Sequence, residues 1–209
     1  MILKTEVSDV FATNCYFYID DETRHGFLID AGAQADKLLE IIERENFTIE
    51  KILLTHGHFD HIGAVKELQN RLKVEVCMQK NGCDYVKNPI WNLSAYFGLD
   101  ITLDNVNYLE DFSKITLESN KNFSLELIPL AGHTTDGAIY YSATDSVAFV
   151  GDSIFLSSLG RTDFPGGDEL ALYKNLKEKV LTLPPETVLL SGHSDPTTVE
   201  NEKNRAWFE

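Results

Sequence analysis

Cysteine is scarce in this chain. Three occur in 209 residues, Cys15, Cys77 and Cys83, and no two are spaced Cys-x-x-Cys. So few, and an odd number, argues against a disulfide framework and reads as reduced, packed thiols in a reducing compartment. Long apolar runs are missing too: none approaches the roughly 20 residues that span a bilayer. The start, Met1 to Glu6, lacks the basic-then-apolar pattern of a signal peptide, so a cytoplasmic location is expected. Basic residues are few, 18 Lys and Arg against 33 Asp and Glu, for a net charge of −15. Such a body repels phosphate backbones and anionic lipid headgroups. Neither nucleic acid nor membrane is therefore an expected partner, and a small-molecule substrate is. No repeat, low-complexity tract or Gly/Ser/Pro-rich linker divides the chain, so one domain over residues 1–209 is expected. The oligomeric state does not follow from the sequence.

What is present is an alternation of short apolar runs and amphipathic stretches. Ile2–Val7, Cys15–Ile19 and Gly26–Ile29 read as strands, the last two separated by the turn-like Asp20-Asp21-Glu22. Leu38, Leu39, Ile41 and Ile42 give helical spacing to Ala35–Glu45. A buried strand at Lys51–Thr55, a helix over Asp60–Leu72 and a strand at Val74–Met78 continue a β-α-β-α-β rhythm. Cys77 falls in that last strand and Cys15 in an earlier one; both read as packed. Residues 81–120 break the rhythm and read as an insertion, in which Tyr85–Phe112 either walls a substrate pocket or covers the core. Strands resume at Ser124–Leu130, Ala138–Ser142 and Val147–Val150. A helix over Asp168–Val180, a strand at Thr187–Leu190 and a helix over Thr197–Arg205 follow. At least one of Tyr140 and Tyr141 belongs to the core. The order fits an α/β chain in four layers, helices outside two packed sheets.

The six histidines are not scattered. Three fall in Thr55-His56-Gly57-His58-Phe59-Asp60-His61, directly after a strand. His133 follows another strand within Gly132-His133-Thr134, and His193 a third within Gly192-His193-Ser194. Asp152 is placed the same way, in Gly151-Asp152-Ser153. Four strand ends thus carry imidazole or carboxylate, and strand ends are where α/β proteins gather their sites. His56 and His58 alternate by two, so an extended loop aims both one way, while Asp60 and His61 open the next helix and face another. Imidazole and carboxylate suit zinc, iron or manganese. Seven candidates, His56, His58, Asp60, His61, His133, Asp152 and His193, exceed what one closed structural zinc site uses. They suit two neighbouring metals with Asp152 as the shared carboxylate. His25, beside a turn, reads as an ordinary satisfied histidine of the surface or core, and Arg161 as the partner of a nearby acid such as Asp163 or Asp168 rather than of an anionic substrate.

On these motifs the chain resembles the metallo-β-lactamase superfamily, and within it the glyoxalase II-like (hydroxyacylglutathione hydrolase-related) hydrolases of bacteria. The loop from Thr55 to Gly63 carries the resemblance, together with Gly132-His133-Thr134 and Gly151-Asp152-Ser153. So do the stretch from Gly160 to Gly167 and Gly192-His193. Asn92-Leu93-Ser94 also looks like a stretch of small bacterial members. The resemblance implies an αββα sandwich. It implies that His56, His58 and His133 bind one divalent metal, that Asp60, His61 and His193 bind a second, and that Asp152 bridges them. Zinc is the first expectation, with iron or manganese as alternatives. It further implies a hydrolase that cleaves a thioester by attack of a hydroxide held between the metals, with Asp60 and Asp152 as the catalytic carboxylates. Two departures stand out: Thr135-Asp136 makes the loop after His133 one residue longer than the family's, and Asp195 adds a carboxylate after His193. The helical region with which full-length glyoxalase II grips glutathione is not expected here.

Rival readings divide by chemistry. β-Lactamases are usually exported and lack the bridging aspartate, and RNA-cleaving relatives carry a basic surface that the charge of −15 opposes. A diiron electron-transfer scaffold has an acid where His58 stands, and a flavin domain. A mononuclear iron persulfide dioxygenase uses a subset of these ligands, and a lactonase differs only in its pocket. A non-enzymatic metal-binding domain would bind metal and turn nothing over.

Overall fold

A computed structural model describes residues 1–205. Alternation along the strands determines the layers. In β1 (Ile2–Ser8), β2 (Ala12–Ile19), β3 (His25–Ile29), β4 (Thr48–Leu54) and β5 (Glu75–Gln79), side chains point to two faces in turn. Cys15, Phe17, Leu28, Ile52, Leu54, Val76 and Met78 face one way. Tyr16, Tyr18, Phe27, Ile29, Leu53 and Cys77 face the other. The first face is covered by α1 (Ala35–Glu45) through Leu38, Ile41 and Ile42, and by α3 (Val65–Leu72) through Val65 and Leu68. With β6 (Asn107–Leu109) these strands form a sheet in the order β1-β2-β3-β4-β5-β6.

A second sheet repeats the scheme. It contains β7 (Lys114–Thr116), β8 (Ser124–Pro129), β9 (Ala138–Ser142), β10 (Val147–Gly151), β13 (Val188–Ser191) and β14 (Thr197–Thr198). Their order is β14-β13-β10-β9-β8-β7. Leu125, Leu127, Tyr140, Phe149 and Leu190 meet the inner face of the first sheet. Ile128, Ile139, Ala148, Val150 and Leu189 pack outward under α5 (Glu169–Asn175) and the wider helical turn Leu176–Val180 that extends it. Three buried clusters, one per layer boundary, make the αββα sandwich. The short β11 (Ile154–Phe155) and β12 (Ser158–Leu159) pair as a separate ribbon.

Two helices differ from the sequence expectation. The stretch Asp60–Leu72 is α2 (Phe59–Ile62) and α3, broken at Gly63-Ala64. There the Ala64 N–H donates to Ala31 O at 3.0 Å, and a Cβ on Gly63 would lie 2.3 Å from the Gly32 carbonyl. A close approach to a neighbouring loop replaces the helical hydrogen bond. At the other end, Thr197–Thr198 pair with β13, and only Val199–Lys203 is helical (α6). Thr198 caps α6 by accepting from Asn201 N–H at 3.2 Å.

Within 81–120, a helical turn α4 (Cys83–Val86) buries Tyr85 and Val86, and a tight turn spans Ser94–Phe97. Asn92, fully buried, fastens this region to the body. Its carbonyl accepts from Phe59 N–H at 2.9 Å, and its amide donates to Ile101 O at 2.8 Å. The region both covers the core and reaches the loop that carries His58. Among the described residues no helix is long and apolar enough to cross a membrane.

Candidate metal centre

The strand directions bring the four motif loops together. β8 and β9 run antiparallel, β9 and β10 antiparallel, and β10 and β13 parallel. The carboxyl ends of β8, β10 and β13 therefore share one sheet edge, from which His133, Asp152 and His193 emerge. The end of β4 meets that edge through the Ala138 N–H, which donates to Thr55 O at 2.9 Å. From there His56 enters at a bend and His58 on extended backbone, and α2 follows with Asp60 and His61.

The structure brings all seven sequence candidates into one cluster, with no member left outside. Ligand-type atoms of His56, His58 and His133 lie within 4.8 Å of one another, and so do those of Asp60, His61 and His193. In the first group His58 Nδ1 is 3.0 Å from His56 Nε2 and 3.1 Å from His133 Nε2. In the second, His193 Nε2 is 3.2 Å from Asp60 Oδ2, and His61 Nε2 is 3.8 Å from the same oxygen. Asp152 stands between the groups. Its Oδ1 is 3.3 Å from His61 Nε2, and its Oδ2 is 3.2 Å from His193 Nε2 and 3.9 Å from His133 Nε2.

Outer contacts fix which nitrogen of the His56, His133 and His193 rings faces inward. The Thr55 hydroxyl donates to Asp30 Oδ2 at 2.7 Å, so at His56, 3.2 Å away, it must accept from Nδ1–H. His133 Nδ1–H donates to Arg161 O at 2.6 Å, and His193 Nδ1–H to Ala12 O at 2.7 Å. In neutral rings each Nε2 lone pair then points into the cluster, the arrangement that outer-shell acceptors impose on metal-binding imidazoles. Asp60 Oδ2 accepts from the Thr13 hydroxyl at 3.2 Å. Gly192 leaves room for the centre: a Cβ there would lie 2.3 Å from Asp152 Oδ1 and 2.6 Å from His61 Cε1.

The electrostatics separate the two groups. Burial, with the neighbouring imidazoles, holds His56 well below its ordinary pKa and His58 down at about 3. Burial lowers His133 as well. These three rings are neutral, and their inward nitrogens crowd together with no positive charge among them. At His61 burial opposes the charge, but Asp152, Asp30 and Asp60 outweigh it and raise the pKa well above the usual value. His193 is raised to about 10, its hydrogen bonds to Asp152 and Asp60 overcoming burial. Those imidazoles hold Asp152 well below the carboxylate range against the effect of burial.

A pair of divalent cations fits this donor set. His61 Nε2 and Asp152 Oδ1 are buried polar atoms without a hydrogen-bond partner, and His58 Nδ1 faces only the Nε2 atoms of His56 and His133. Converging neutral imidazoles repel unless a cation lies among them. In the second group protons occupy the place of positive charge, so loading a metal there releases them.

Three supporting residues escape a motif-based reading. Asp30, 2% exposed, accepts from Thr55 N–H at 2.8 Å and lies 3.0 Å from His61 Nδ1. The only sequence signal is an acid directly after an apolar strand. Thr13 carries no signal. Asp136, in the loop after His133, is fully buried beside Gly57, and neither carboxyl oxygen has an aligned hydrogen-bond partner. Burial pushes it up to about 7. Of the other residues singled out, His25 pairs with Glu50 at 2.8 Å, and Arg161 pairs with Asp163. Tyr140 is buried and donates to Leu54 O at 2.9 Å. Cys15 and Cys77 are buried free thiols, Cys15 on the helix-covered face away from the centre.

An αββα sandwich with a histidine–aspartate cluster along one edge of its paired sheets is the architecture of metal-dependent hydrolases. The model of the metallo-beta-lactamase superfamily matches residues 8–193. The chain belongs to that superfamily, and its fold is one that binds divalent metal. The hydroxyacylglutathione hydrolase GloC of Haemophilus influenzae is 32% identical over 196 residues, which cover 92% of this chain and 91% of that protein. The crystal structure of the BLEG-1 B3 metallo-beta-lactamase superposes with a TM-score of 0.92 at 30% identity, covering 100% of this chain and 99% of that one. TTHA1623 in a di-iron-bound form superposes with a TM-score of 0.86 at 30% identity, covering 97% of each chain.

Proposed function

We propose that this metallo-hydrolase cleaves thioesters, releasing a carboxylic acid and a thiol, with two divalent cations at its centre. In this reading His56, His58 and His133 hold one cation, Asp60, His61 and His193 the other, and Asp152 is shared. Two such ions, zinc foremost and iron or manganese as alternatives, lower the pKa of water toward neutrality and polarise a carbonyl oxygen. Asp60, held by Thr13 and His193, orients the attacking water. Asp30 and the carbonyls of Arg161 and Ala12 keep the imidazoles aimed inward. The C–O bond to the acyl carbon forms, the C–S bond breaks, and the sulfur leaves as thiolate.

The observation that carries the thioester reading is that the described lining residues offer no buried general acid outside the candidate ligands. Among the described residues lining the cavity beside the cluster, three ionisable side chains lie outside the seven candidates. These are Tyr96, 67% exposed on the rim, and the mutually paired Arg161 and Asp163. A thiol, with a pKa near 8.5, leaves without protonation, whereas an amide nitrogen does not. That favours thioesters over the β-lactam amides suggested by the likeness to BLEG-1, and the resemblance to GloC points the same way. The test is a panel of acyl-thioesters, a lactone and a β-lactam with the zinc-loaded chain, following thiol release or ring opening. Thioester turnover is expected, with loss of activity in His58→Ala and Asp60→Asn at unchanged circular dichroism. Turnover confined to the β-lactam or the lactone, or near-normal rates in Asp60→Asn, overturns the reading.

A further inference from the structure

The cavity beside the cluster has a volume of about 750 Å3, in the range of pockets that enclose drug-sized ligands. Its two sides differ. One side is built by three phenylalanines brought together from separate segments. Phe11 comes from the turn between β1 and β2, Phe59 from the start of α2, and Phe97 from the end of the turn Ser94–Phe97. Their ring centroids are 5.9 Å (Phe11–Phe59), 5.2 Å (Phe11–Phe97) and 5.1 Å (Phe59–Phe97) apart. Phe59 is buried, yet Phe11 is 47% and Phe97 44% exposed, so the cluster presents ring surface to the cavity. Phe59 lies between His58 and Asp60 in the chain, so this wall begins at the candidate ligands themselves. Contiguous exposed apolar surface of this kind marks a binding surface.

The other side carries the charge, and that charge is cancelled. Arg161 donates to both oxygens of Asp163, at 2.9 and 2.7 Å, and its guanidinium lies 4.3 Å from the Phe164 ring centre. Among the described lining residues, no cation outside the candidate ligands is left to meet an anion. A peptidic thiol with two carboxylates, such as glutathione, would enter a chain of net charge −15 and meet, among the described lining residues outside the candidate ligands, no cation but the already paired Arg161.

The geometry points to a neutral thioester with an apolar acyl group as the substrate class, the acyl chain seated on Phe11, Phe59 and Phe97. It makes Phe11 and Phe97 specificity-determining residues. This rests on the hydrolase reading above, and the experiment separates the two. The zinc-loaded full chain is assayed on acetyl, butanoyl, hexanoyl and octanoyl thioesters of N-acetylcysteamine, and on the same acyl groups carried by glutathione. Complete burial of a methylene is worth roughly 4-fold, and this wall is partly open. The expected rise in kcat/KM from acetyl to hexanoyl is therefore about 10- to 100-fold. At equal acyl length the N-acetylcysteamine thioester is the better substrate. In Phe11→Ala and Phe97→Ala the hexanoyl-to-acetyl ratio collapses toward 1, and Phe97→Leu restores part of it. Urea unfolding checks that each variant is folded.

Binding is measured in parallel by calorimetry, using ketone analogues in which a methylene replaces the sulfur. A hexanoyl analogue that binds at least 10-fold more tightly than the acetyl one supports the apolar pocket even where no thioester is cleaved. In that case only the thioester reading falls. Thioester hydrolysis with no dependence on acyl length, or a preference for the glutathione series, overturns the pocket inference and leaves the hydrolase reading standing. Equal binding of the two analogues overturns it as well.

Discussion

Replacing Asp30 by asparagine keeps the shape of the side chain and removes its charge. The carboxylate accepts from the Thr55 N–H at 2.8 Å and the Thr55 hydroxyl at 2.7 Å, and faces His61 Nδ1 at 3.0 Å. An amide offers one acceptor oxygen, so its NH2 must meet either the Thr55 N–H, or the Thr55 hydroxyl and His61 together, as donor against donor. Hydrogen bonds to a charged group contribute about 1 kcal/mol more than neutral ones. Two hydrogen bonds so weakened, with the lost charge contact to His61, give a destabilisation of about 2–4 kcal/mol. The effect on metal is more selective. Asp30 aims His61, and loss of such an outer partner costs about 10- to 100-fold in affinity. In the first group His58 and His133 make no contact with Asp30, and His56 meets it only through the Thr55 hydroxyl, so the second group should weaken more. Chelator competition with zinc is expected to give one affinity near the wild-type value and one weakened by that factor, and urea unfolding at pH 7 gives the stability loss. Two zinc affinities within about twofold of wild type would refute the positioning role assigned to Asp30.

Two further outcomes follow from buried groups near the centre. Asp136 is held protonated by burial up to about pH 7, whereas an unfolded carboxyl releases its proton near pH 4. The folded form thus binds more protons, and stability falls as pH rises through that window. Relative to the metal-free wild type, metal-free Asp136→Asn should gain about 2–3 kcal/mol between pH 5 and pH 8 in urea unfolding; a difference that stays flat with pH refutes the shift. Gly192→Ala places a methyl 2.3 Å from Asp152 Oδ1. It is expected to destabilise by about 1–3 kcal/mol and to weaken metal at the Asp60–His61–His193 group, and full zinc retention would contradict the crowding.

The layers were legible because each strand alternates cleanly. Phe17 and Tyr18, or Leu53 and Leu54, announce two buried faces within two residues, and the helix Ala35–Glu45 shows its apolar stripe. The seven candidate ligands were legible because each stands beside a glycine or another ligand just past a strand. What was hidden depends on contacts distant in sequence. Gly63 looks tolerable inside a helix until Gly32 is found against it. Asn92 and its hold on Phe59 join segments without periodicity. Asp30 acts on His61, 31 positions away, and nothing local marks the pairing. The phenylalanine wall draws on three separate segments, so no one of them discloses it.

The central claim is that the seven residues form one centre for two metals. Elemental analysis of the chain, purified without chelator and then reconstituted, tests it most directly. About two equivalents of zinc, iron or manganese per chain are expected, falling to about one in His193→Ala. A single equivalent of iron, with the Asp60–His61–His193 group refusing a second ion under any loading, would contradict it.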